Sequence, residues 1–85
     1  MTTALKPIYD NRQSFYNKAT VIIDDSGKHL YSYNTHVAYI DNDDKPHLLP
    51  LWNYSATTLR HVKEFLRQNG FAADSKKQIE QDYIK

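Results

Sequence analysis

Leu59, Val62, Phe65 and Leu66 recur at spacings of three and four, so at ~100° per residue their side chains fall in one arc of an amphipathic helix. The segment carries its own boundaries. Ser55 stands where a hydroxyl accepts from a first-turn amide, Thr57 and Thr58 add short polar groups there, and Gly70 supplies the left-handed residue that closes such a helix. Asn69 continues the arc, while Trp52 before the cap and Phe71 after the glycine are set to pin both ends onto one core. Upstream, the pattern changes to extended runs. Ala19 to Asp24 is rich in β-branched residues and stops at Asp25-Ser26-Gly27, a hairpin closure. Lys28 to Tyr33 returns, with His29, Tyr31 and Tyr33 on one face and Leu30 and Ser32 on the other. Thr35 to Ile40 is a third extended stretch, and Asn34 before it marks either a tight turn or a bulge. Asp41 to Pro46 is a turn, and His47 to Leu51 is a short strand that Pro50 confines to an edge or an end.

The ends of the chain are simpler. Ser75-Lys76-Lys77-Gln78 matches the capping box, in which serine and the residue three later satisfy each other's amides, and Ile79 and Tyr83 then share a face of a short C-terminal helix. Residues 1–6 are polar and expected to be flexible. Ile8 to Tyr16 combines an Asp/Asn cap signal with paired aromatics, which suggests a turn or one helical turn leading into a strand. The sum is an α+β domain: an antiparallel sheet of three or four strands, one amphipathic helix packed on one face, and a short C-terminal helix. A helix at 10–17 would give the order of double-stranded RNA binding domains, in outline only.

Val21-Ile22-Ile23 and Val37-Ala38-Tyr39-Ile40 are apolar in consecutive positions, so these strands offer hydrophobic groups to both faces of the sheet. One helix covers one face. The other requires the N-terminal segment, a second copy or a partner, and a homodimer is therefore one candidate assembly.

Composition narrows the classes. The 85 residues suit a single domain, 1–85 with its core over about 8–84, that buries roughly 60% of its unfolded surface. With no cysteine there is no disulfide and no thiolate chemistry, which fits a reducing compartment. Residues 1–7 lack the pattern of a secretory signal, and no run approaches the ~20 apolar residues of a membrane helix, so the expected location is cytoplasmic, with no membrane partner. The net charge of +1 provides no global field for nucleic acid. The seven tyrosines are the one excess, and a tyrosine ring with its polar tip suits a half-exposed sheet or an interface.

Local chemistry gives two candidate surfaces and no catalytic set. Arg60, Lys63 and Arg67 form a basic stripe on the helix, able to track phosphates, with Glu64 as a neutralising neighbour and Lys76 and Lys77 enlarging it; the plainer reading is a solvated face. Tyr31, Tyr33 and Tyr39 are candidates for protein binding, and also for stacking on bases. His29, His36, His47 and His61 show no close metal-ligand spacing, and His61 reads as a boundary residue beside the apolar arc. Asp24-Asp25 and Asp43-Asp44 read as turns rather than ion sites. Ser55 and His61 are six apart on a helix and do not form an activated pair, and neither glycine belongs to a phosphate-cradling loop. No cofactor is implied, and the chain reads as a non-enzyme.

Tyr9-Asp10-Asn11-Arg12-x-Ser14-Phe15-Tyr16-x-Lys18-Ala19, Leu30-x-Ser32-Tyr33-x-Thr35-x-Val37-Ala38 and Trp52-x-x-Ser55-x-Thr57-Thr58-x-Arg60-His61-x-x-x-Phe65-Leu66 together resemble a family of small uncharacterised proteins from phages, prophages and plasmids of lactic acid bacteria and related Gram-positives. The resemblance runs from about Tyr9 to Lys77. It implies an accessory protein of a mobile element and carries no functional residue. Its partner would be a host or element protein, with nucleic acid as the alternative.

Overall fold

The computed structural model describes residues 1–6, 8 and 18–84, and its first strand is Thr2–Ala4 (β1). β1 pairs antiparallel with Ala19–Asp24 (β2), Thr3 opposite Val21, and Leu5 N–H donates to the Ala19 carbonyl at 2.9 Å. The expected flexibility of residues 1–6 is thus corrected: β1 satisfies the backbone groups along what would be a bare edge of β2. Leu5 is buried in the core, which therefore begins before residue 8. The expected turn or helical turn across Ile8 to Tyr16 falls mostly on residues 9–17 and lies outside the described residues.

Asp25-Ser26 turns the chain into Gly27–Ser32 (β3), and Tyr33-Asn34 turns it again into Thr35–Ile40 (β4), which pairs with Pro46–Leu48 (β5). Among the described residues the sheet has five strands in the order β1-β2-β3-β4-β5, all antiparallel, where three or four were expected. The additional strand is β1, whose three polar and small residues carry little signal of their own. Gly27 has φ +134°, and a Cβ there would run into the Ile40 carbonyl, so close approach of β3 to β4 requires glycine.

The turn and the bulge considered at Asn34 are separate features. Tyr33-Asn34 is a two-residue turn between the paired Ser32 and Thr35, and the register shifts further along, where Leu30 faces Ala38 but Tyr31 faces His36. The extra residue is Val37. Tyr33 leaves the strand at φ 58°, so it does not share a face with His29 and Tyr31 as the alternation predicted.

Helix α1 spans Ala56–Gln68 and α2 spans Lys76–Tyr83. Ser55 Oγ accepts from Thr58 N–H at 3.1 Å. At the other end Phe71 N–H donates to the Leu66 carbonyl and Gly70 N–H, at φ 86°, to that of Arg67, the bond pair of a Schellman closure. Val62, Phe65 and Leu66 are fully buried against Val21, Leu30, Ala38 and Ile40, with Leu59 and Phe71 at the margin and Trp52 and Ile79 closing the ends of the same core.

Three expectations about the helices change. His61 is fully buried rather than at a boundary, its Nδ1 2.8 Å from Ser32 Oγ. Glu64 is buried, with Oε2 accepting from Gln68 Nε2 at 2.6 Å, so it turns from the basic stripe instead of neutralising it. On α2, Ser75 Oγ accepts from Gln78 N–H, but the Gln78 side chain reaches back so that its Oε1 accepts from Asp74 N–H at 2.7 Å, one residue beyond the capping-box partner. Among the described residues no helix is long and apolar enough to cross a membrane.

Candidate functional site

Both helices pack on one side of the sheet, and the opposite face presents Thr20 and Ile22 of β2, His29 and Tyr31 of β3, His36 and Tyr39 of β4 and His47 of β5. Period-two alternation alone would put His36 and Tyr39 on opposite faces, being three residues apart. The bulge at Val37 inserts one residue and returns both to the outer face.

The register then sets rings opposite rings. Tyr31 and His36 stack with centroids 4.8 Å apart and planes at 15°. Tyr39 lies between His47, at 4.5 Å and 11°, and His29, at 5.6 Å and 22°. His29 Nδ1 is 3.1 Å from His36 Nε2, which joins the two stacks through a hydrogen bond. Rings packed face to face between neighbouring strands stand upright on the sheet. Their flat surfaces are used on one another and several ring nitrogens on neighbouring side chains, which leaves ring edges and the tyrosine hydroxyls facing outward.

Carboxylates fix the rim of this stripe. Asp41 Oδ2 is 2.7 Å from His47 Nε2, and Asp24 Oδ1 is 3.2 Å from His29 Nε2. Each aspartate also organises a turn: Asp24 Oδ1 accepts from the Ser26 amide and hydroxyl, and Asp41 Oδ1 from the Asp43 and Lys45 amides. Hydrogen bonds from Ser26 hold the Asp24 carboxyl below its ordinary value, and those from His47 and the Lys45 amide do the same for Asp41. The His36 ring is held below its ordinary value by burial first and then by His29 beside it. Among the described residues no lysine or arginine belongs to the ring stripe, and no three histidine or carboxylate groups gather as metal ligands.

Of the candidate binding tyrosines, Tyr31 and Tyr39 stand in this stripe. Tyr33 does not; its ring is at the hairpin end on the helix side, 6.1 Å from that of His61. In the sequence His29, His36 and His47 are tested as metal ligands, and their place in the stripe is not found. The alternation His29-x-Tyr31 together with His36, Tyr39 and His47 on the strands that follow was the available signal, but the bulge that aligns them has no local mark.

Arg60, Lys63 and Arg67 lie on the side of α1 facing away from the sheet, all half-exposed, and Lys76 and Lys77 are exposed at the start of α2. Arg67 Nη2 is 3.6 Å from Asp74 Oδ1, and among the described residues Arg60 and Lys63 have no carboxylate within ion-pair distance. The cations and the ring stripe therefore occupy opposite sides of the molecule. A single ligand does not meet both at once, so tyrosine stacking does not assist phosphate binding at α1.

Comparison of the chain with curated proteins and with solved structures returns no match. A family model matches residues 3–81, nearly the whole chain, and on that match the protein belongs to the DUF8033 family, a family of unknown function.

Proposed function

We propose that this chain is a small non-enzymatic accessory module that binds another protein through the outer face of its sheet. The observation that supports it is the upright ring stripe of Tyr31, His36, His29, Tyr39 and His47. Outward edges and polar tips provide hydrogen-bonding groups on an apolar base, the mixture that tyrosine brings to protein interfaces. Base stacking is disfavoured because Tyr39 has both of its faces occupied, and phosphate tracking is disfavoured because no described lysine or arginine stands in the stripe. The resemblance to proteins of phages and plasmids of lactic acid bacteria supplies the setting: a mobile-element protein in the bacterial cytoplasm, its partner a host or element protein.

The test compares Tyr31→Ser with Tyr39→Ser in one variant and Arg60→Ala with Arg67→Ala in another, each confirmed folded by circular dichroism. Proteins retained from lysate are compared with and without nuclease. The proposal expects a retained protein that survives nuclease, survives the arginine changes and is lost with the tyrosine changes. Loss with nuclease or with the arginine pair supports the second reading, a nucleic-acid surface at Arg60, Lys63, Arg67, Lys76 and Lys77, whose affinity would fall steeply with salt. Self-association through the sheet face is read by sedimentation of the purified chain.

A further inference from the structure

On the helix side of the molecule, a cavity of about 560 Å³ opens between the β3–β4 turn, the segment before α1 and the first turn of α1. That volume lies within the range of small-molecule sites. Its rim is unusual for a surface of this size: Tyr33 is 52% exposed, Leu51 48% and Tyr54 78%, so three large apolar side chains left in water converge on one opening. Its wall combines the side chain of Val37 with hydroxyls from Ser32, Thr35, Ser55 and Thr58. Among the described residues no charged side chain lines it.

The hydroxyls form a chain that ends on a buried ring. Ser55 Oγ donates to Thr58 Oγ1 at 3.1 Å, Ser32 Oγ donates to the same atom at 3.3 Å, and Ser32 Oγ lies 2.8 Å from His61 Nδ1. Thr58 Oγ1 thus accepts from two serines, and its own hydrogen is not used in the chain and is available to an acceptor in the cavity. Tyr33 adds a separate signal. It holds φ 58°, a backbone conformation that glycine or asparagine adopts more readily, and Asn34 is its neighbour in the same turn. Strain of this kind persists where the side chain is needed at its place, and here the side chain stands at the mouth of the cavity.

We infer that the cavity between the β3–β4 turn and the start of α1 binds a small uncharged aromatic molecule that carries a hydroxyl or carbonyl. The ring lies against Tyr33, Tyr54 and Leu51, and the oxygen accepts from the hydroxyl wall. The described lining offers no charged side chain to carboxylates, phosphates or amines, so no counter-charge from it replaces the water they would lose. The site is separate from the outer sheet face and stands or falls without it.

Phenol, sodium benzoate and inorganic phosphate are each titrated into the isotope-labelled protein, and amide shifts are followed by nuclear magnetic resonance. The inference expects saturable shifts at Ser32, Thr35, Ser55 and Thr58 with phenol and none with phosphate or benzoate over the same range. Tyr33→Gly relieves the positive φ, so it keeps or raises the midpoint of thermal unfolding while weakening phenol binding; Tyr54→Ala, at an exposed position, weakens it with the fold intact. Absence of saturable phenol shifts, an equal response to phosphate or benzoate, or phenol binding unchanged in both variants would overturn it.

Discussion

His29 Nδ1 and His36 Nε2 lie 3.1 Å apart across β3 and β4, a hydrogen bond that needs at least one of the two rings neutral. Acid therefore acts directly on the ring stripe, because protonating both rings removes the acceptor and sets two positive charges in contact.

The stability consequence follows from His36. Its folded pKa lies below the ordinary value of 6.5, so the unfolded chain takes up that proton first as pH falls. The contribution is complete above about 6.5 and is lost as pH drops through the interval down to the lower folded value. Asp24 and Asp41, also held low, contribute above the ordinary carboxylate value of 3.8 and lose it in a second, more acidic interval. Urea midpoints measured between pH 7.5 and 3 are expected to fall in two stages, and His36→Asn is expected to flatten the first. A midpoint that rises on acidification to pH 5.5 would contradict the arrangement.

Gly27→Ala is expected to destabilise by about 2 kcal/mol or more, since the new Cβ meets the Ile40 carbonyl and φ +134° is closed to alanine. The denaturant midpoint is the measurement, with an unchanged slope as the sign that the unfolded state is unaffected. Gly70→Ala has open space around its Cβ and meets only the cost of its φ of +86°, so its effect is expected to be smaller.

Phe65→Ala is expected to cost roughly 3–5 kcal/mol by emptying the centre of the core, whereas Arg60→Ala on the far side of the same helix stays within about 0.5 kcal/mol. Similar losses at both positions would mean that α1 is rotated from the orientation described.

Ser75→Ala removes the hydroxyl that accepts from Gln78 N–H and is expected to cost about 1 kcal/mol. Because α2 has eight residues and little helicity of its own, the loss should show as faster amide exchange in α2 before the sheet is affected. Uniform acceleration throughout the chain would place α2 within the global unfolding unit instead.

Local physics made α1 legible from the sequence. Leu59, Val62, Phe65 and Leu66 repeat with the helical period, Ser55 and Gly70 are the residues that a helix start and stop require, and these signals lie within one short stretch. The hairpin at Asp25-Ser26 and the start of α2 at Ser75 were readable for the same reason. The α+β class followed from the order of these elements, and the family match agrees with the resemblance in one respect, membership of a family without an assigned function.

What joins distant residues was decided by tertiary structure. β1 exists because β2 offers it an edge, not because Thr2, Thr3 and Ala4 favour extension. The burial of His61 and Glu64 turned on what packs around α1, which helical periodicity does not describe. Above all, one extra residue at Val37 brings His36 onto the same face as Tyr39, and so onto the face of His29, Tyr31 and His47. Register is a relation between strands, set by the summed burial of both, so no single strand's residues state it.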